Sequence, residues 1–139
     1  MAVRTLELNV PTAGKSEMLD ITGDIENALK ESGINEGIIN IFVPGSTASV
    51  STVEFEPGLE EDVPRALDKI APFGPNYAHH ATWHDDNGAS HVRATIMGPG
   101  ITVPFAEKKP ILGDWQQIVV IDHDTRPRER KLVLTIIGD

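Results

Sequence analysis

The sequence predicts an α+β domain: a curled mixed, mainly antiparallel sheet, barrel-like in outline, carrying two helices. Three observations lead there. Apolar residues recur at helical spacing in two early segments, residues 23–31 and 59–70. The second half is dominated by runs rich in branched side chains, at residues 92–97, 115–122 and 131–137. Pro44-Gly45, Pro57-Gly58 and Gly98-Pro99-Gly100 separate such segments, and no repeat, low-complexity tract or linker divides the chain. Helices that come early and strands that come late favour α+β over a regularly alternating α/β fold. At 139 residues the expectation is one domain over residues 1–139.

Leu6, Leu8 and Val10 alternate with Glu7 and Asn9, the period of a half-buried strand, which Pro11 and Gly14 should end. Met18, Leu19 and Ile21 fit a returning strand. Thr22 is placed to cap a helix in which Ile25, Ala28 and Leu29 share one face and Gly33 supplies the stop. Gly37 to Val43 is the central-strand candidate, and the stretch from Ser46 to Val53, hydroxyls interleaved with small apolar groups, reads as an adjacent strand with one polar face. Leu59, Val63, Ala66, Leu67 and Ile70 follow helical spacing, with a kink or restart expected at Pro64. Tyr77 to Ser90 reads as a loop. Val92 to Met97, Ile101 to Phe105 and Ile111 to Gly113 then read as strands, the second weakened by Pro104. Trp115 to Asp122 and Lys131 to Ile137 read as a long hairpin joined by a charged turn.

Twelve Lys and Arg against 21 Asp and Glu give a net charge of -9, which repels a phosphate backbone and argues against a nucleic-acid partner. A small phosphorylated molecule is still compatible, because one guanidinium and a few N–H groups make a local positive pocket. The absence of cysteine removes disulfides, thiolate nucleophiles and zinc–thiolate sites together. No apolar run approaches the roughly 20 residues that span a bilayer, so a cytoplasmic location without a membrane partner is expected.

Chemistry is concentrated between His79 and Arg93, which hold four of the five histidines. Imidazoles bind metals or move protons, and neighbouring carboxylates fix their tautomers. His84, Asp86 and His91 form a candidate metal set if Asn87-Gly88 folds the loop back, and a solvated hydrogen-bonded cluster is the alternative. Arg93, two residues beyond His91 on the expected strand, would share its face and suit a phosphate or carboxylate. The turn at Ser46 and Thr47 offers hydroxyls and N–H groups to an anion. Glu56, just before a turn, reads as a free solvated carboxylate with a base or ligand role as the alternative, and Trp115 reads as core or subunit interface ahead of ligand platform. Asp122, His123, Asp124, Arg126 and Arg128 read as an exposed hairpin end unless tertiary contacts bring them to the loop.

Several of these pieces stand together, in order, in one known family. Ser46-Thr47-Ala48, Glu54 to Leu59, Trp83 to Gly88 with Ser90 to Ala94, Gly98-Pro99, Thr102 to Phe105, Leu112 to Ile118 and Arg126-Pro127-Arg128 resemble the YjbQ family, also described as secondary thiamine-phosphate synthases. The resemblance implies an α+β fold around a curled mixed sheet and assembly as a homotrimer. It also implies a weak joining of a hydroxymethylpyrimidine diphosphate to a thiazole phosphate with loss of pyrophosphate. Under it, Arg93, Ser46 and Thr47 would bind phosphate, His91 with Asn87 would position substrate or transfer a proton, and Glu56 would orient a polar group. Family members carry a histidine before the hydroxyl turn and a pair of alternating histidines after the Asn. Here those positions are Gly45, Ala89 and His91, so two of three expected imidazoles are absent. That loss weakens the case for a divalent metal cofactor and for family-type catalysis. Three readings therefore stand: a weak or altered thiamine-phosphate-synthase-like enzyme, a non-catalytic binder of a small phosphorylated metabolite, and a structural homotrimer without a ligand site.

Overall fold

In the computed structural model, which describes residues 1–139, twelve elements follow one another. They are β1 (Ala2–Thr12), β2 (Glu17–Asp20), α1 (Thr22–Ser32), β3 (Gly37–Phe42), β4 (Ala48–Glu54) and α2 (Pro57–Ile70), then α3 (Ala78–Trp83), α4 (Gly88–Met97), β5 (Gly100–Ala106), β6 (Lys109–Pro110), β7 (Gln116–Asp122) and β8 (Arg128–Gly138). The strands make two sheets, ordered β1-β8-β3-β5-β6 and β2-β7-β4, and every pairing is antiparallel. This is the curled α+β architecture that the sequence predicts, with four helices where two were expected. No helix is long and apolar enough to cross a membrane.

Alternation along the strands builds the layers. Ile39 and Ile41 of β3, Leu132, Leu134 and Ile136 of β8, Ile118 and Val120 of β7 and Val50 of β4 meet Ile25, Ala28 and Leu29 of α1 in the main core. On the opposite face of the three-stranded sheet, Met18, Val119 and Ile121 form a second, smaller core covered by Val63 of α2 and Met97 of α4. At about 25 cal/mol per Å² of buried apolar surface, the main cluster of 18 buried side chains contributes the larger share of the hydrophobic stabilisation.

Several local expectations are corrected. β7 and β8 are not a hairpin: β8 pairs with β1 and β3, β7 with β2 and β4, because their apolar faces enter the core from opposite sides. β4 likewise joins β7 and not β3. Pro11 does not end β1, since an edge strand can leave one side of its backbone unpaired. Helix α1 begins as expected, but Thr22 makes no side-chain cap; its hydroxyl accepts from Ile118 N at 2.9 Å, and Asp20 Oδ1 accepts from Thr22 N. α2 runs through Pro64 without a restart.

The segment 77–97 differs most. It is helical over α3 and α4, although Val92 to Met97 reads as a strand in isolation. Ala89, Ser90, Arg93 and Ala94 are buried and lie on one face at helical spacing, so small groups allow α4 to settle on β4. Burial of that face overrides the weak strand preference of Val92, Thr95 and Ile96.

Glu56 illustrates a residue consumed by the fold. It is the N-cap of α2, its carboxylate accepting from Gly58 N at 2.8 Å and Leu59 N at 2.6 Å, with Pro57 following in the first turn. Glu56→Ala is expected to cost about 1 kcal/mol in urea denaturation at neutral pH; an unchanged midpoint would show that the cap contributes nothing.

Candidate functional site

β7 ends at Asp122, and His123 and Asp124 follow it directly, all three buried. Strand alternation sends Asp122 toward the main core and His123 to the face beneath α4. The charged hairpin end expected at the surface therefore becomes two buried polar systems, one on each side of the sheet.

Under α4, His123 Nδ1 lies 2.6 Å from Ser16 Oγ and Nε2 lies 3.0 Å from Ser49 Oγ. Arg93 Nη1 donates to Ser16 Oγ at 3.0 Å. That donation leaves the Ser16 proton for Nδ1, so the ring is neutral with its proton on Nε2, donating to Ser49. Burial, with the positive charge of Arg93 added, pushes the His123 pKa down to about 4. The other two nitrogens of Arg93 are also engaged: Nε donates to Ala71 O at 2.9 Å, Nη2 to Asp68 Oδ1 at 2.7 Å, and its Cζ sits 4.0 Å from the centre of the Phe73 ring. It is 0% exposed. The anion-binding role expected for Arg93 is therefore corrected, since a fully buried guanidinium whose three nitrogens all donate within the protein, and which lines no cleft, is out of a ligand's reach. Its shared face with His91 also disappears, because residues two apart on a helix point to nearly opposite sides.

On the core side, Arg130 Nε and Nη2 grip Asp122 at 2.6 and 2.9 Å, and Nη2 also donates to Thr47 Oγ1 at 2.7 Å. Thr12 donates its hydroxyl to Asp122 Oδ2, while Asp124 accepts from Thr47 Oγ1 at 3.1 Å and Arg128 Nε at 2.9 Å. Burial opposes the Asp122 charge, but hydrogen bonds from Arg130, Thr12 and the Asp124 N–H outweigh it and hold the carboxyl below the usual range. Asp124 is lowered in the same way, burial being outweighed by the Thr125 N–H, the Thr47 hydroxyl and Arg128. Thr47 is thus a buried bridge between Asp124 and Arg130. Its neighbour Ser46 is exposed.

The histidines gather in pairs around α3 and the start of α4. The rings of His79 and His91 are 4.5 Å apart, and those of His80 and His84 are 5.5 Å apart. In the amide orientation that satisfies its neighbours, Asn87 donates to Asp85 Oδ1 at 2.7 Å and to His79 Nε2 at 2.9 Å. Asp85 Oδ1 is 3.5 Å from the same His79 nitrogen. His80 Nδ1 approaches Asp86 Oδ1 to 2.7 Å without the alignment of a hydrogen bond. The proposed metal set of His84, Asp86 and His91 does not converge, and three His or carboxylate donors meet around no common point in the structure. His84 caps α3 in a left-handed conformation and is exposed; Asp86 turns to His80.

A cleft of about 130 Å³ opens between the turn before β4 and α4, lined by Gly45, Ser46, Ala48, Ala94, Thr95 and Pro99. His91 lies one helical turn before Thr95 on the same side of α4. Trp115 is 75% exposed and precedes β7, whereas Asp122 ends it, so roughly 20 Å of strand separates the indole from this cleft. Within one chain Trp115 is not part of the site.

The sequence model described as "UPF0047 protein YjbQ-like" matches residues 6–139. The chain belongs to the UPF0047 family of YjbQ-like proteins. A UPF0047 protein of Methanothermobacter thermautotrophicus is 36% identical over 99% of this chain and 94% of its own length. UPF0047 protein YugU of Bacillus subtilis is 30% identical over 94% of this chain and 97% of its own. Among solved structures, a hypothetical protein from Aeropyrum pernix K1 superposes with a TM-score of 0.90 at 31% identity, covering 98% of this chain and 99% of that one. A YbjQ-like protein from Sulfolobus solfataricus P2 gives 0.85 at 30% identity over 99% and 100%. The family fold is therefore kept over nearly the whole chain despite Gly45 and Ala89.

Asp122, His123, Asp124 and Arg130 were missed as site residues by sequence reasoning. The signal available was the apolar run Ile118 to Ile121 passing directly into charges, which implies that the next residues are still inside. Because His123 has a lower pKa folded than the ordinary 6.5, the unfolded chain takes up a proton that the folded one refuses. Stability is full above pH 6.5 and falls as the pH drops toward 4, by about 3 kcal/mol, with Asp122 and Asp124 adding losses as the pH falls through the usual carboxylate range and below it. Urea titrations at pH 7.5 and 4.5 should show that loss, and His123→Gln should remove most of it; equal slopes in the two proteins would contradict the assignment.

Proposed function

We propose that this UPF0047 protein binds a small phosphorylated metabolite in the cleft between the Gly45–Ala48 turn and α4. The carrying observation is the cleft itself: a space of about 130 Å³ with small walls, Gly45, Ala48 and Ala94, and two hydroxyl residues, Ser46 and Thr95. Such a lining admits a phosphate group and offers it donors without filling the space. The substrate class is supported by the resemblance to secondary thiamine-phosphate synthases, which handle a thiazole phosphate and a pyrimidine diphosphate. Binding without efficient turnover is favoured because Glu56 and Arg93, two of the residues expected to act on substrate, are spent on the α2 cap and on Ala71, Ser16 and Asp68.

A second reading, weak synthase-like catalysis, draws on the His79 and His91 rings 4.5 Å apart and on the Asp85 and Asn87 contacts to His79 Nε2. Those groups can hold a proton near the cleft and release it to a departing pyrophosphate. Calorimetry with thiazole phosphate and pyrophosphate is expected to show saturable binding that weakens about tenfold in Thr95→Leu, with no thiamine phosphate formed above a boiled control. Heat from neither ligand would remove the binding reading. Product that vanishes in both His79→Ala and His91→Ala would establish the catalytic one.

A homotrimeric assembly is part of the same proposal and is supported by large apolar side chains left in the open, Trp115 at 75%, Trp83 at 69%, Ile111 at 59% and Ile96 at 56% exposed. Light scattering at micromolar concentration should give three times the chain mass, and a monomer would reject the assembly.

A further inference from the structure

We propose that the notch at Gly45 is the oxyanion subsite of the cleft, and that Nη1 of Arg130 is the donor that holds the terminal phosphate of the ligand. This inference rests on the phosphorylated-ligand reading and narrows it to one guanidinium.

Arg130 is 8% exposed, so its charge is nearly out of water. Its Nε and Nη2 are committed to Asp122 and Thr47, whereas Nη1 has no acceptor in the protein. Nη1 is not among the buried polar atoms without a partner, so it still reaches water, and an oxyanion can replace that water with a charge-assisted hydrogen bond. The neighbouring carboxylates do not repel that oxyanion as free charges would. Asp122 is held by Arg130, Thr12 and the Asp124 N–H, and Asp124 by Thr47, Thr125 and Arg128. The contrast with Arg93 is instructive, because all three of its nitrogens already donate within the protein.

Access to Nη1 depends on the glycine. Gly45 has φ +128°, which L side chains rarely adopt, and a Cβ there would lie 3.2 Å from Nη1. Arg130 does not itself line the cleft, but Gly45 does, so in the proposed subsite the oxyanion passes the bare Gly45 backbone to reach Nη1. Ser46 beside it and Thr95 across on α4 place hydroxyls around the same opening, ready for the remaining phosphate oxygens.

The test uses the full chain and inorganic phosphate as the probe, with acetate as the competing carboxylate arm. Arginine side-chain NMR should show one guanidinium, assigned through its loss in Arg130→Lys, whose Nη signals shift saturably with phosphate and less with acetate. Gly45→Ala should weaken phosphate binding about tenfold or more. Since alanine is strained at that φ, Ser46→Ala is a second variant, expected to lose a few-fold in affinity at an unchanged melting temperature. Phosphate, pyrophosphate or thiazole phosphate binding with silent Arg130 signals, or with Gly45→Ala binding as tightly as the parent, overturns the subsite and leaves the cleft reading intact. Absence of binding by all three ligands defeats both.

Discussion

A guanidinium can be buried only if its donors find acceptors, and the region around β7 is organised by two arginines that meet this demand differently. Arg93 satisfies it entirely within the protein, by tying α4 to the end of α2 at Ala71 and Asp68 and to Ser16 ahead of β2. Arg130 satisfies it on one edge through Asp122 and Thr47, which locks β8, β7 and the turn before β4 together. The first guanidinium is consequently part of the frame. The second presents one free nitrogen at the only stretch of that turn without a side chain.

The three-stranded sheet keeps these systems apart. Asp122 and His123 are consecutive, yet strand alternation gives one to the main core and the other to the space beneath α4. Neutral His123 is accepted there because its two ring nitrogens match the serine that receives from Arg93 and the serine of β4. Burial disfavours the charged ring and the nearby Arg93 charge adds to it, which is the physical origin of the low pKa. Ser90 Oγ, buried in the first turn of α4 with no partner, is the one hydroxyl in this layer that the network does not satisfy.

Much of the fold was legible because it follows from short-range rules. The alternation around Val10, the i, i+3, i+4 face of Ile25, Ala28 and Leu29, and the glycine stop at Gly33 need no knowledge of partners. The site was less legible. Val92 to Met97 carries strand-like composition and becomes helix because Ala89, Ser90 and Ala94 fit against β4. That change moved Arg93 from an expected ligand face to the interior and separated it from His91. Glu56 looked like a free carboxylate, while the N–H groups of Gly58 and Leu59 claim it.

By itself the sequence determined the α+β class, the family pattern, the acidic surface and the gathering of histidines between residues 79 and 91, since composition, periodicity and ordered motifs are properties of the chain. Only the tertiary structure decided which polar groups are spent and which remain available. That choice depends on hydrogen-bond partners more than a hundred residues apart, such as Thr12 with Asp122 and Ser16 with His123, and separation along the chain carries no information about them until the sheets close.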